Sequence, residues 1–465
     1  MTVVLARLLR LHRTGASAIA LGVALGLSSW SAPAHAQSIV DALALSYMTN
    51  PQIDAQRAKL RATDEGVPAA IGGWLPKVTV SGGYGKGWLR IDSPNRVSEQ
   101  QDPRSATFTF DQTFWRGGGQ EADLDKAEAQ VRQERASLDG VERTVLLSAA
   151  TAYMNVLRNQ AVVELRRNNV QVLERQLEAT RDRFNVGENT RTDVAQAEAR
   201  LASARAQLRA AEGDLSTSRA TYQQVVGEQP GVLVDPSPPA SLPLTLDEAV
   251  EAAKSSNPDV RVAIESEKVA ETDVDRSRAL LLPTLSFQAQ LQRSEETGRD
   301  DVRQTTGIVQ GRVSVPIYQG GGEYAGVRTT KETVGQRRLE LDNARRRAIE
   351  SAVQAWELLR SAEAQIESFD VNVRATEVAL DGVQQEAAVG ARTVLDVLDA
   401  EQEALNAKVN LVGARRDRII AAYQLLAATG RLTAVEQKLP VTAYDPKAHY
   451  DRTRWRLIGT GIESK

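Results

Sequence analysis

The feature that most restricts this chain is that it is written twice. Asn50-Pro51 returns as Asn257-Pro258, and Leu75-Pro76 as Leu282-Pro283, both 207 residues on (257 less 50, 282 less 75). Gly117-Gly118-Gly119 then returns as Gly320-Gly321-Gly322, Val186-Gly187 as Val389-Gly390, and Gly227 as Gly430, each 203 on (320 less 117, 389 less 186, 430 less 227). Such regular self-similarity means one structural unit built twice. The four-residue change falls between Pro76 and Gly117, so the two copies differ there only in loop length. A proline-rich connector, "EQPGVLVDPSPPASLP", separates them. The spacing predicts a first repeat over 37–227, a linker over 228–245, a second repeat over 246–430 and a tail over 431–465.

Each copy runs in the order helix, two strands, long helix, sharp turn, shorter helix. Asn50 and Asn257 are good N-caps, followed by proline at the first helical position. These helices are expected from Pro51 to about Ile71 and from Pro258 to about Leu281. After Leu-Pro the apolar period changes from helical to alternating. Val78, Val80 and Tyr84 alternate with Thr79, Ser81 and Gly83; Ala106, Phe108, Phe110 and Phe114 alternate with Thr107, Thr109, Asp111 and Thr113. Leu285, Phe287, Ala289 and Leu291 alternate with Ser286, Gln288, Gln290 and Gln292, and Gly311, Val313 and Val315 continue more weakly. Strands are expected within about 76–116 and 283–318, with Trp88, Trp115 and Tyr318 near their ends. An apolar face, a polar face and terminal aromatics fit a transmembrane β-barrel. A soluble β-sandwich has the same alternation, but Asp111 and the glutamines are poor packing residues for its core. Four strands close no membrane barrel, which needs at least about eight, so the barrel has to be shared between chains.

No proline occurs over 117–229 or 317–439. Helices over 120–186 and 323–389 would each run about 100 Å at 1.5 Å per residue. The return limbs, 190–227 and 393–430, cover only about 57 Å, and the proline-started helices have the length to complete the journey to the strands. Helical hairpins are thus expected at about 120–227 and 323–430. In the first return limb Val194, Ala197, Leu201, Ala204, Leu208, Ala211, Leu215, Ser218 and Tyr222 alternate spacings of three and four, a heptad seam. In the second, Ala400, Ala407, Ala414, Ala421 and Ala428 recur every seven residues beside Leu398, Leu405, Val412, Ile419 and Leu426. Two seams on one helix require neighbours on two sides, in a closed cylinder or in a solid bundle.

The hairpin tips share V-G-x-x-T-x-x-D. Gly187 and Gly390 suit left-handed helix ends. Thr190 and Thr393 can cap the returning helices, with Asp193 and Asp396 completing capping boxes. Capping alone accounts for those two aspartates. It does not account for Arg392, nor for Asp399 one turn beyond Asp396 on the same face.

Composition removes the rival chemistries. There is no cysteine, and two of the three histidines, His12 and His35, fall in the first 36 residues. Those residues have a basic start, an apolar stretch over 16–27 and a small-x-small site at Ala34-His35-Ala36, the pattern of a cleaved signal peptide over 1–36. That stretch is shorter than the roughly 20 apolar residues of a membrane-spanning helix. Only His449 is left, near the C-terminus, so histidine catalysis and metal clusters are disfavoured. Gly117 and Gly320 open helices after strands, but no Lys-Ser/Thr follows as in a phosphate loop. A net charge of −3 gives nucleic acid no footprint, and no enzyme activity or cofactor is expected.

Taken with the duplicated halves and the Asn-Pro and Leu-Pro landmarks, "VGARTVLDVLDAEQEALNAK" makes the sequence resemble the TolC family of outer-membrane efflux and secretion channels over essentially the whole mature chain. The resemblance implies a mainly α fold with a membrane β-barrel: a homotrimer whose twelve strands sit in outer-membrane lipid, continuous with a periplasmic α-helical barrel. It implies a passive exit duct served by a periplasmic adaptor (membrane fusion) protein and an inner-membrane transporter, ABC or proton-driven. It implies a pore latch of Arg392 with Asp193 and Thr192, and an entrance acidic ring of Asp396 and Asp399. A tyrosine that supports the latch in the family is Ala387 here, and Gln196 stands where the second tip has Asp399. Surface loops are expected at 91–104 and 293–304, facing the exterior. The competing reading is a periplasmic coiled-coil adaptor or scaffold, for which one hairpin flanked by compact β-domains would be expected.

Overall fold

The computed structural model describes residues 37–92, 97–296 and 302–462. The expected signal peptide therefore lies outside the described residues. The first copy consists of α1 (Ile39–Thr49), α2 (Pro51–Asp64), α3 (Gly66–Ile71), β1 (Lys77–Tyr84), β2 (Gly87–Ile91), β3 (Val97–Gln101), β4 (Arg104–Arg116), α4 (Gly119–Asn185) and α5 (Arg191–Val226). The second consists of α6 (Leu246–Ser256), α7 (Pro258–Ala279), β5 (Thr284–Glu295), β6 (Arg303–Ser314), α8 (Gly322–Ala388) and α9 (Val394–Ala428), followed by a tail with a short α10 (Ala448–Thr453). Both long helices have 67 residues, about 100 Å each. No helix among the described residues is long and apolar enough to cross a membrane.

The first proline-started helix does not run unbroken to Ile71: it ends at Asp64 and restarts as α3. Pro68 explains the break, because it has no N–H to donate to the carbonyl four residues back. Asn50 and Asn257 each do two jobs. Their Oδ1 atoms cap α2 and α7 by accepting from Gln52 N and Asp259 N. Their amides donate across to the ends of the return limbs, to Val225 O at 3.0 Å and Ala428 O at 2.9 Å.

The strands form one antiparallel sheet in the order β1-β4-β5-β6, so β1 and β6 are its two edges. Val78 pairs with Phe110, Phe110 with Ala289 and Ala289 with Val309, so these apolar residues share one face across all four strands. That face is bare in the single chain: Val80 is 76% exposed and Val309 73%. The other face carries Thr109, Gln290 and Ile308 in register. Two expectations are corrected. The stretch 91–104 is not only loop, because β2 and β3 form a separate two-stranded ribbon. A bulge between Thr113 and Trp115 also breaks the strict alternation, so that Trp115, and not Phe114, lines up with Leu285. The extra residue re-aims the strand end and keeps the indole on the apolar face.

Below the sheet the helices form a layer in which α5 packs on α4, α4 on α9 and α9 on α8, with α7 between α4 and α8 higher up. The heptad seam of α5 is buried at Ala197, Leu201, Ala204, Ala211, Ser218 and Tyr222. The two seams of α9 face different neighbours. Ile419 and Leu426 join Val145, Ala149, Tyr153 and Val156 of α4, while Ala421 and Ala428 join Ala352, Ala355 and Leu359 of α8. Alanine on the second seam lets two helix backbones come close. The tail folds back over α1, α2 and α4: Ala434 N donates to Glu142 (2.6 Å), Tyr444 N to Tyr47 Oη (3.0 Å), and His449 Nδ1 lies 2.9 Å from Asp64 Oδ2.

Candidate functional site

The two tips are built alike. At the first, Glu188 N donates to Arg183 O over Gly187, whose φ is +86°; at the second, Ala391 N donates to Glu386 O over Gly390, with φ +80°. This six-to-one bond ends a helix only if the intervening residue is left-handed, which glycine adopts without strain. Thr190 Oγ1 then accepts from Asp193 N (3.2 Å) and Asp193 Oδ2 accepts from Thr190 N (2.8 Å). Thr393 and Asp396 repeat the box at 3.2 and 2.9 Å. The backbone N–H of Thr393, and then its hydroxyl, hold the Asp396 carboxyl below the usual carboxylate range.

Beyond the caps the tips diverge. Arg392 Nε donates to Glu386 Oε2 near the end of α8 in the same hairpin at 2.8 Å, an ion pair that raises the guanidinium further. Thr192 is exposed and Asp193 half-buried, and within one chain Arg392 is not paired to either. Asp399 forms an ion pair with Arg200 of α5. Both side chains are about half exposed, so the pair adds little to stability, but it ties one hairpin to the other. Ala387 lines an open cleft of about 510 Å³ together with Arg175, Arg183, Val397 and Glu401.

Two polar links in the arms of the hairpins recur at the same offset as the glycines. Arg181 pairs with Glu198, and 203 residues on Gln384 donates to Glu401. Arg205 pairs with Glu174, and 203 on Lys408 pairs with Glu377. Arg200–Asp399 has no such counterpart, because the equivalent positions are Glu403 and Gln196. Sequence reasoning missed Arg200 and Glu386. An arginine seven residues past Asp193 was visible, but nothing in one helix shows which neighbouring helix it meets. Among the described residues no group of three or more acidic, histidine or cysteine side chains can hold a metal ion.

The comparisons with known proteins agree with this architecture. The family profile described as "Outer membrane efflux protein" matches residues 43–228 and 249–431, one match per repeat. The outer membrane efflux protein BepC of Brucella suis is 33% identical over 427 residues, spanning 92% of each chain. The outer membrane protein TolC of Vibrio cholerae is 26% identical over 423 residues, covering 89% of this chain and 95% of its own. Among solved structures, the CmeC outer membrane channel of Campylobacter jejuni superposes with a TM-score of 0.75 at 15% identity, covering 90% of each chain. These relatives are channels and not enzymes, and they set aside the adaptor reading. The chain belongs to the outer membrane efflux protein family, and it is an outer-membrane efflux or secretion channel of the TolC type.

Proposed function

We propose that three copies of this chain assemble into one duct, with a twelve-stranded barrel in the outer membrane and a helical barrel in the periplasm. The observation that carries this is the open sheet: four strands, a bare apolar face and two unpaired edges. Lipid does not tolerate exposed strand edges, so β1 of one copy has to pair with β6 of the next. The helical layer is open in the same sense, with α5 at one end and α8 at the other. The duct is passive. Energy and cargo selection come from an inner-membrane transporter, ABC or proton-driven, reached through a periplasmic adaptor at the hairpin tips.

In this reading the tips are the gate. Arg392 spends only Nε on Glu386, and a guanidinium has further donors, which reach Asp193 or Thr192 of the neighbouring hairpin and hold the pore narrow. Asp396 and Asp399 supply carboxylates round that opening, and acidic rings favour cations. Single-channel recording in planar bilayers tests the proposal. The wild-type chain should give small, uniform conductance steps, and Arg392→Ala should enlarge them while the assembly stays intact. No steps would refute the duct, and unchanged steps in the variant would leave Arg392 a solvated surface residue.

A further inference from the structure

The tail does not end where it is anchored. It climbs: Ala434 meets Glu142 of α4, His449 meets Asp64 at the end of α2, and Arg454 Nη2 meets Glu128 Oε1 at 3.2 Å. Along α4 these contacts run toward its first residue, Gly119, which comes directly after the sheet. Glu128 is nine residues into that helix, about 14 Å below the strand ends at 1.5 Å per residue. Tyr450 packs with Val67, Ile71, Ala127 and Val131, and Ile71 leads through Trp74 into β1. The tail thus reaches the level just beneath the barrel.

The segment from Trp455 onward is unlike the rest of the tail. Trp455, Ile458 and Ile462 are 69, 91 and 96% exposed, with Leu457 beside them. The same stretch carries Arg454 and Arg456 and has no acidic residue from 452 to 462. Arg454 stacks over Tyr450 and Trp455, at 5.7 and 5.6 Å from the ring centroids. Gly459 takes a positive φ of +106°. Large apolar side chains interleaved with arginine, left bare next to a membrane-embedded sheet, match a lipid surface in both apolarity and charge.

We propose that residues 455–462 are an interfacial anchor lying in the headgroup layer of the periplasmic leaflet of the outer membrane, with Trp455, Ile458 and Ile462 entering the acyl boundary and Arg456 facing the lipid phosphates. This anchor rests on the sheet being part of a membrane barrel. The headgroup layer extends about 5–7 Å beyond the hydrocarbon on each side. The remaining gap of under about 10 Å is within the span of three extended residues at about 3.3 Å each. The anchor holds the tail strap, and through it α2 and α4, at a fixed height relative to the bilayer.

The chain has no cysteine, which permits clean single-site spin labelling. Ile458→Cys is labelled with a nitroxide and the assembled protein is placed in bilayers of phosphatidylethanolamine and phosphatidylglycerol. Val80→Cys on the apolar sheet face and Val389→Cys at the tip serve as lipid and water references. Collision with oxygen relative to a water-soluble nickel chelate should be several-fold higher at 458 than at 389, approaching 80. Adding Trp455→Ser, Ile462→Ser and Arg456→Glu should return 458 to the value at 389. A label at 458 as aqueous as that at 389 overturns the anchor. So does a label shielded from both reagents, which would place a neighbouring copy of the chain over this surface. If the label at 80 is also aqueous, the failure lies with the barrel reading instead.

Discussion

Asn257 shows how much one side chain can carry. Capping was legible from Asn-Pro, but the second task was not: the amide of this buried residue satisfies Ala428 O, the end of a helix 171 residues away. Serine would keep the cap, since it is as good an N-cap as asparagine, yet it cannot span to that carbonyl. Asn257→Ser should therefore cost about 1–3 kcal/mol, the penalty of a buried unpaired acceptor, seen as a lower melting temperature of the assembly. A neutral substitution would reduce Asn257 to a cap. Glu142 gives a pH test of the tail strap. Burial pushes its carboxyl from 4.5 up to about 7, against the bond from Ala434 N and the charge of Arg57, with Asp139 adding to the rise. The folded chain holds a proton that the unfolded chain releases near 4.5, so stability falls as pH rises from about 4.5 to about 7 and is flat above. Glu142→Gln keeps an acceptor for Ala434 and removes the ionisation. It should melt with the wild type near pH 4.5 and above it at pH 8, by up to about 3 kcal/mol at about 1.4 per pKa unit. An equal gap at both pH values would contradict this.

At the scale of elements, the long helices, their glycine ends and the α5 seam could be read from the chain, because helical period and caps are local properties. The strands were legible for the same reason, down to their faces. The bulge at Thr113/Trp115 was not, since it exists only relative to the partner strand, and the β2–β3 ribbon hid in a stretch too polar to alternate. The tips obeyed the same rule: caps were local, but Arg200 on Asp399 depends on which helices become neighbours. That pair makes a prediction that the aspartates alone do not. In the proposed entrance ring Arg200 would offset part of the charge of Asp399, so Arg200→Ala should strengthen block by a trivalent cation added from the tip side. Asp396→Asn with Asp399→Asn should abolish the block, and both effects should shrink with salt as screening tightens to about 8 Å at physiological strength. Block in bilayer recordings that ignores Arg200→Ala would place the cation elsewhere.

For the whole molecule, duplication explains why a single chain looks unfinished. Each repeat contributes two strands of the sheet and two helices of the layer, and the pair still closes neither. In the proposed barrel, closure takes more than one copy, but the count could not be read from the chain: eight strands from two chains satisfy the same minimum as twelve from three. The tail was legible only as a segment beyond the repeat, expected to pack outside the helical barrel. Its path over α1, α2 and α4 rests on single long-range contacts with no periodic signature, such as Tyr444 on Tyr47 and His449 on Asp64. Whether three chains close the sheet and the helical layer is decided by the detergent-corrected mass of the purified protein, measured by light scattering. Three chains per particle, with no smaller species on dilution, is the predicted result; a particle of one or two chains would contradict it.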